Sequence, residues 1–296
     1  ASIVSKFTFN KKVMNVYIII PFHNEEKYIE STIKSIVEQS HPVKKLLLVN
    51  DNSTDQSSSK TDNYLKKYDW ISKLDINSNN KHLPGKKVIN AFNQGLNTMD
   101  SNYDIICKFD ADIILPKNYL EKIVLEYKKD PLVGMASGIL YIKKNDNWIF
   151  EKISSKKHVR GPIKSYKKEC FKEIGGLKES IGWDTVDVLL AKYNKWKVVT
   201  NENLIVKHLK PTGLNYNKSA KYLQGEALYK MRFGIVLSLL SALKRAYNLR
   251  SLTYLIFIKI GYIVSVFSSK KRLVNKKEGT FIRKLIWKNI FKKVIF

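Results

Sequence analysis

A strand, a polar loop and an amphipathic helix follow one another in residues 16–37, VYIIIPFHNEEKYIESTIKSIV. The β-branched run that begins at Val16 ends at Pro21, and apolar side chains then recur at helical spacing from Ile29 to Val37. This order predicts the first βα unit of a domain in which strands and helices alternate.

The same alternation continues along the chain. Residues 46–49 and 105–109 predict two further buried strands, and residues 88–96 and 118–127 predict two further helices. The resulting βαβαβα order predicts an α/β domain with a mainly parallel central sheet. A polar loop follows each strand, and in such sheets ligands bind beyond the carboxyl ends of the strands. We therefore expect the functional residues on one rim of the sheet.

Composition narrows the class of protein. The chain of 296 residues has 53 Lys and Arg against 26 Asp and Glu, a net charge of +27, with 44% hydrophobic residues. That hydrophobic content excludes a disordered basic protein. Cys107 and Cys170 have no metal-ligand spacing, so we expect reduced structural thiols. The first apolar run is too short for a signal peptide, and we expect that the main domain is not exported.

The positive charge is concentrated in the last third of the chain. Residues 205–296 carry 20 Lys and Arg against two acids, a net +18, which leaves +9 for residues 1–204. A polar stretch from Pro211 to Asn215 has the composition of a connector. We predict an α/β domain over residues 1–210 and a helical region over residues 211–296.

Five segments carry a resemblance to a known family. They are residues 18–39, IIIPFHNEEKYIESTIKSIVEQ; 46–55, LLLVNDNSTD; 83–96, LPGKKVINAFNQGL; 107–116, CKFDADIILP; and 170–187, CFKEIGGLKESIGWDTVD. In this order they resemble the family-two inverting glycosyltransferases of the glycosyltransferase-A (GT-A) fold, over about residues 14–210. The resemblance implies metal-dependent transfer of a sugar, with inversion, from a nucleotide-sugar donor to a glycan or lipid-linked acceptor.

A metal site is expected after the strand at residues 105–109. Asp110 and Asp112 lie two residues apart there, and Mg²⁺ or Mn²⁺ prefers such carboxylate ligands together with substrate phosphates. The resemblance makes Asp112 the metal ligand and lets Asp110 contact either the metal or the ribose. His208 follows the last strand predicted in the domain and is a candidate third ligand, since imidazole suits Mn²⁺ better than Mg²⁺. The alternatives are a solvated acidic loop and a structural histidine.

The nucleotide is expected at the first two polar loops. Asp51 could accept the N3–H of uracil, which favours a UDP-linked donor, although Asn50 and Asn52 depart from the residues common in the family. Pro21, Asn24 and Glu25 resemble the family's nucleotide-contacting turn. The alternative for Asp51 is a cap on the next helix, a role that suits Asp55 better. Asn24 could likewise be a helix cap.

Lys86 is a candidate phosphate contact. It follows Pro84-Gly85 and opens the helix at residues 88–96, where a cation and free backbone amides could meet a diphosphate. In a chain so rich in lysine, a solvated side chain is the alternative.

The catalytic base should be an acid beside the acceptor hydroxyl. Family members often have Glu-Asp-x-Asp at this point, whereas this chain has Trp183-Asp184-Thr185-Val186-Asp187. Alignment on the aromatic-acid pair makes Asp184 the base, and Asp187 is the second candidate. Asp184 could instead cap the helix that follows. Trp183 could face a sugar ring or lie in the core.

The last third of the sequence indicates contact with a membrane surface. Residues 233–243 and 252–268 are apolar, but the longer run has Lys259 at its centre and is short for a membrane-spanning helix. Basic residues flank both runs and alternate with aromatic and aliphatic residues in 281–296. We expect a peripheral or re-entrant attachment to the cytoplasmic side of an anionic membrane. The alternative is a helical subdomain or an interface of a homo-oligomer.

Two other functions are compatible with the sequence. A catalytically idle GT-A-like protein could bind nucleic acid through its basic last third. Against this, the basic residues are interleaved with long apolar runs. A nucleotidyltransferase on a related sheet is the third possibility, and it would require a nucleoside triphosphate.

Overall fold

A computed structural model of the chain describes residues 13–78, 85–212 and 218–294. The nine strands within these ranges are β1 (Val16–Phe22), β2 (Val43–Asp51), β3 (Ile71–Ile76), β4 (Ile105–Phe109), β5 (Ile113–Ile114), β6 (Val133–Lys144), β7 (Asn147–Phe150), β8 (Ile163–Lys167) and β9 (Lys197–His208). The helices in the same ranges are α1 (Ile29–Val37), α2 (Ser57–Lys67), α3 (Lys86–Thr98), α4 (Tyr119–Lys129), α5 (Lys168–Glu173), α6 (Trp183–Tyr193), α7 (Lys218–Lys230), α8 (Ile235–Asn248), α9 (Leu252–Phe267) and α10 (Lys276–Val294).

One sheet organises the first two hundred residues, in the strand order β3-β2-β1-β4-β8-β6-β9-β5, with β7 paired to β6. The run β3-β2-β1-β4 is parallel throughout, which confirms the predicted α/β fold. Beyond β4, the strand β8 runs antiparallel, while β6 and β9 pair in parallel. The parallel run places the carboxyl ends of β1, β2 and β4 on one rim.

The predicted βαβαβα order omits one unit, because the chain forms α2 and β3 between β2 and α3. Helix α2 has the sequence SSSKTDNYLKK and buries only Ser57 and Thr61 fully, so it has no strong apolar stripe. Strand β3 is an edge strand that is only partly buried. Neither element has the apolar periodicity that indicates a helix or strand in a sequence.

Apolar side chains cover both faces of the sheet. One cluster joins Ile18 and Ile20 of β1 to helices α1 and α4. The other joins Tyr17 and Ile19 of the same strand to α3, α5 and α6. Alternation along β1 therefore divides its side chains between two cores, as a central strand requires. Cys107 and Cys170 lie in these cores as free thiols, which confirms the prediction of reduced structural cysteines.

Helices α7, α8 and α10 pack on the cluster that contains α6, and α9 packs on α7 and α8. Ala227 of α7, Met231 directly after that helix and Ile282 of α10 are buried in that cluster. Helices α7 and α9 cross at two glycines: a Cβ on Gly225 would lie 2.0 Å from the carbonyl oxygen of Ile258, and one on Gly261 would lie 2.0 Å from that of Tyr222. Only glycine permits this approach of two helix backbones. The predicted connector falls partly on residues 213–217, outside the described residues, and the boundary at 210/211 stays a prediction.

The outer side of α8 and α9 is a broad apolar surface, which we call the α8–α9 face. Its side chains are between 38% and 85% exposed: Ile235, Val236, Leu239, Leu240, Leu243, Tyr247, Leu252, Ile256, Ile260, Ile263, Val264, Val266 and Phe267. Exposed basic side chains accompany them: Lys244, Arg245, Arg250, Lys259, Lys270 and Lys271. Among the helices of the described ranges, none combines the length and the apolar content needed to cross a membrane.

Candidate active site and metal centre

Asp110, Asp112 and His208 meet at the rim where β4 ends. Asp110 follows β4 directly, and β5 pairs antiparallel with the end of β9 so that Ile113 lies opposite His208. The Leu209 amide donates to the carbonyl oxygen of Asp112 over 2.8 Å, which fixes the two backbones together. One ligand atom from each of the three side chains lies within 4.8 Å of the others. The fold thus brings the imidazole of His208 to two neighbouring carboxylates that are far from it in sequence.

This cluster has the chemistry of a divalent cation site. Asp112 is only 6% exposed, and its Oδ1 lies 3.5 Å from His208 Nε2 without a hydrogen-bond partner. The Oε2 atom of Glu25 is also buried without a partner. Burying a carboxylate oxygen without a hydrogen-bond partner costs free energy. A bound cation would offset that cost. Two carboxylates with one imidazole suit Mn²⁺, and carboxylates alone would also accept Mg²⁺.

The His208 ring is held from behind by Glu151, a residue that the sequence did not indicate. His208 Nδ1 lies 3.2 Å from Glu151 Oε2. Burial would lower the pKa of His208, but the carboxylates of Asp112 and Glu151 outweigh it and raise that pKa to about 9. Burial opposes ionisation of Glu151 too, yet His208, the Thr212 amide and Arg160 lower its pKa to about 2. The histidine therefore sits between two carboxylates.

Asn24 ties the first polar loop to the second. It has a positive φ of 54°, and its Oδ1 accepts the Thr54 amide over 2.8 Å. The N-cap of α1 is Tyr28, so Asn24 does not cap that helix. Pro21 lies inside β1 opposite Val49 of β2. Both predicted nucleotide contacts therefore lie at the carboxyl ends of the central strands.

Glu25 forms an ion pair with Lys210, a second residue that the sequence did not indicate. Its amide donates to Ser57 Oγ over 2.6 Å, which fixes the backbone at the start of α2. Burial raises the pKa of Glu25 while Lys210 opposes the shift, and the charges of Asp110 and Asp112 add to it. Glu25 is therefore close enough to Asp110 and Asp112 for their charges to affect it.

Asp51 ends β2 and is nearly buried, at 6% exposure. Ser78 donates to both carboxylate oxygens, from its amide at 3.2 Å and its hydroxyl at 2.8 Å. Asp51 therefore braces the chain that follows β3. Asp55 accepts the Ser57 amide over 2.9 Å, but the N-cap of α2 is Gln56, so Asp55 stands one residue before the expected capping position.

Lys86 is the first residue of α3 and is exposed. The preceding Gly85 has a φ of 75° and lies against the backbone of Ser180 and Ile181, in the loop that leads to α6. The start of α3 therefore borders the loop that leads to Asp184. Pro84, which precedes it, lies outside the described residues.

Asp184 and Asp187 have different surroundings on α6. Asp187 is 1% exposed, accepts two bonds from Lys164 at 2.7 and 2.6 Å, and accepts a third from Tyr166 at 2.5 Å. Burial raises the pKa of Asp187, and Lys164 opposes that shift. Asp184 is half-buried. The N-cap of α6 is Gly182, so the alternative prediction that Asp184 caps this helix is wrong.

A short segment joins the metal-site acids to the start of α6. The Asp110 amide donates to the Pro162 carbonyl over 3.0 Å, and a Cβ on Gly161 would lie 3.1 Å from the Trp183 ring and 3.6 Å from Asp184 Cβ. Lys108 also connects them, because it pairs with Asp110 and lies 5.2 Å from the centre of the Trp183 ring. Trp183 itself is 7% exposed, which favours its core role.

Comparisons with known proteins relate the first part of the chain to a family. A family model described as Glycosyl transferase family 2 matches residues 17–178. The "Probable glycosyltransferase YdaM" of Bacillus subtilis is 34% identical over 130 residues, covering 43% of this chain and 30% of the relative. The "Poly-beta-1,6-N-acetyl-D-glucosamine synthase" of Staphylococcus epidermidis is 23% identical, covering 44% of this chain and 29% of the relative. The chain thus matches about a third of the length of these relatives.

Solved structures resemble a larger part of the chain than these relatives do. A mannosyltransferase from Pyrobaculum calidifontis in complex with GDP-Man and Mn²⁺ has a TM-score of 0.57 at 15% identity, covering 96% of this chain and 89% of that one. A fragment of S. aureus TarS in complex with UDP-GlcNAc has a TM-score of 0.54 at 17% identity, covering 73% of this chain and 67% of that one. At these identities the likeness shows the fold, which is that of GT-A enzymes.

Proposed function

Because the chain belongs to glycosyl transferase family 2, whose model matches more than half of it, we propose a metal-dependent, inverting transfer of a sugar from a nucleotide diphosphate. The chain is a glycosyltransferase, and the donor, cation and acceptor are the proposed parts. The single observation that carries the proposal is the meeting of Asp110, Asp112 and His208 at one rim. In open α/β sheets, ligands bind at that rim.

Asp112 and His208, with Asp110, would hold a divalent cation, for which the imidazole favours Mn²⁺. When bound, such a cation offsets the negative charge of the donor diphosphate. Lys108 holds Asp110 from the sheet side. Lys210, beside Glu25, adds a positive charge that a diphosphate would also meet.

Asp184 is the proposed base. It would accept the proton of the acceptor hydroxyl as that oxygen bonds to the anomeric carbon, while the bond from carbon to diphosphate breaks and UDP leaves with the electron pair. Attack opposite the leaving group inverts the anomeric configuration. Asp187 suits this role less well, because Lys164 and Tyr166 already occupy both of its oxygens.

The donor end of the proposal rests on Asp51, with Pro21, Asn24, Glu25 and Lys86 around it. Asp51 stands at the end of β2, where a carboxylate can accept the N3–H of uracil, so we propose UDP sugars. When uracil binds, the Asp51 carboxylate would accept from both N3–H and Ser78, or it would lose its bonds to Ser78. Turnover of UDP, GDP and dTDP sugars should therefore place UDP and dTDP, whose bases both carry an N3–H, above GDP, and a preference for GDP would contradict the role of Asp51.

Substitution of Asp184 tests the base. Asp184→Asn should lower turnover by about 10²- to 10⁴-fold while UDP still binds, because the amide cannot accept the proton. Binding of UDP to both proteins is measured by calorimetry as the control. Full turnover in Asp184→Asn would move the base to another acid.

We propose further that the α8–α9 face lies on the cytoplasmic surface of an anionic membrane, where a lipid-linked or glycan acceptor would be met. The face combines exposed apolar side chains with exposed Lys and Arg, which suits the headgroup region of a bilayer. Flotation with vesicles that contain or lack anionic lipid tests this, beside an oligonucleotide shift at the same salt. Binding of the oligonucleotide alone, or a stable homodimer that covers the face, would contradict it.

A further inference from the structure

A buried ion pair lies behind the cluster of Asp110, Asp112 and His208. Glu151 and Arg160 are 2% and 6% exposed, and Arg160 Nη2 lies 3.1 Å from Glu151 Oε2. The second oxygen of Glu151 accepts the Thr212 amide over 2.7 Å. Burying two charges costs free energy unless the pair is close and its remaining polar atoms are hydrogen-bonded. Glu151 also bonds His208, which connects the pair to the proposed metal centre.

The bond between Glu151 and His208 fixes which ring nitrogen of His208 faces Asp112. A carboxylate oxygen can only accept, so His208 Nδ1 must carry the hydrogen of the 3.2 Å bond to Glu151. With Nδ1 bonded to Glu151, Nε2 is the ring nitrogen left to bind a cation once it has given up its proton, and Nε2 is the atom that lies 3.5 Å from Asp112 Oδ1. The ring therefore presents its ligand atom to the acid.

The backbone of His208 does not depend on Glu151. His208 pairs with Ile113 of β5 and with Ile142 of β6, and the next amide bonds to the carbonyl oxygen of Asp112. The sheet thus sets where His208 stands, and Glu151 sets only how its ring is turned. Arg160 in turn bonds Thr212 Oγ1 over 2.9 Å, which braces Glu151 from a third side.

We propose that Glu151 is a positioning residue for the metal centre, which holds the His208 ring with Nε2 toward the cation while Arg160 and Thr212 hold Glu151. This inference rests on the proposed metal centre and adds to it a residue outside the expected ligand set. Carboxylates that orient a metal-binding imidazole in this way commonly contribute about 10- to 100-fold in metal affinity.

Two variants separate the orientation of His208 by Glu151 from the effect of the positive charge on Arg160. Glu151→Leu combined with Arg160→Met removes the partner of the ring and leaves no unpaired charge. Arg160→Met alone keeps the bond from His208 to Glu151 but removes the positive charge. Mn²⁺ alone is titrated into the full chain by electron paramagnetic resonance, and the nitrogen modulation of bound Mn²⁺ reports whether an imidazole is a ligand. Circular dichroism checks the fold of each protein.

The double variant should bind Mn²⁺ about 10- to 100-fold more weakly and lose the nitrogen signal. Arg160→Met should keep the nitrogen signal, with a smaller change in affinity. Wild-type affinity and nitrogen signal in a folded double variant would overturn the role of Glu151. Loss of the signal in Arg160→Met alone would assign the effect to Arg160 and also overturn it. A wild-type chain without bound Mn²⁺ would instead reject the metal centre itself.

Discussion

Asp184 and Asp187 are three residues apart on α6, yet their carboxyl groups serve different purposes. Lys164 is completely buried against Asp187, and Tyr166 bonds the same carboxylate. Breaking such a pair strands a charge in the interior. Asp187, the second candidate for the base, thus has the contacts of a framework residue, whereas Asp184 is half-buried.

Asp187→Asn should therefore lower the free energy of unfolding by about 3–5 kcal/mol, because Lys164 loses its charged partner. Asp184→Asn, its matched control on the same helix, should change stability by about 0.5 kcal/mol or less. Urea unfolding measures both. If Asp187→Leu combined with Lys164→Met recovers no stability relative to Asp187→Asn, the buried pair is not the cause.

Cys107 and Cys170 should be unreactive in the folded protein. Burial raises the pKa of the Cys170 thiol to about 12, with the charge of Asp187 adding to the shift, and burial also raises that of Cys107 far above its usual value. Alkylation requires the thiolate, which is scarce below these pKa values. Iodoacetamide at pH 8 should label neither cysteine until guanidinium unfolds the chain. Rapid labelling without denaturant would contradict the buried positions.

The partners of the metal-site residues could not be predicted from the sequence. Glu151 lies 57 residues before His208, and Lys210 lies 185 residues after Glu25. No local spacing links such pairs, because they meet only through the sheet. Asp110 and Asp112 could be predicted because both follow the end of one strand. Their proximity in space therefore shows as proximity in the sequence.

At the scale of elements, apolar periodicity explains which parts of the fold were predictable. Strands β1, β2 and β4 are buried on both faces and have continuous β-branched or aliphatic runs, so their prediction is confirmed. Helix α2 and the edge strand β3 have no such runs and were missed. The helix after Asp184 was expected, but its cap is Gly182.

The crossing of α7 and α9 predicts an unusual response to alanine. In an exposed helix, Gly→Ala stabilises by about 0.5–1 kcal/mol, but at Gly225 or Gly261 the new Cβ would lie 2.0 Å from a backbone oxygen. Each substitution should therefore destabilise the chain by about 1–3 kcal/mol in urea unfolding. Lys244→Ala, at an exposed position of α8, is the control and should change little. A gain in stability for Gly261→Ala would contradict the close crossing.

For the whole molecule, the α8–α9 face should govern attachment to vesicles. Leu252 and Phe267 are 76% and 85% exposed there, and each large apolar side chain that enters a bilayer contributes about 1.5–3 kcal/mol. Leu252→Asp combined with Phe267→Asp should lower partitioning onto anionic vesicles by about tenfold or more. Leu132→Asp, which changes a 55% exposed side chain before β6, is the matched control and should partition like wild type.

The charge of the chain has two locations with different consequences. The first 204 residues carry a net +9 around an acidic rim, and the remainder carries +18 beside an apolar face. Salt should therefore weaken vesicle attachment, because exposed charges are screened. It should affect the buried metal-site residues much less, so cation binding and attachment to vesicles are separable properties of one molecule.

Donor turnover by the full chain with and without a divalent cation tests the central claim most directly. Release of UDP from a UDP sugar is measured with Mn²⁺, with excess chelator, and in Asp112→Asn, whose fold is checked by circular dichroism. We predict turnover with Mn²⁺, none with chelator, and none in Asp112→Asn. Equal turnover with Mn²⁺ and with chelator, or wild-type turnover in Asp112→Asn, would contradict a metal-dependent glycosyltransferase at this site.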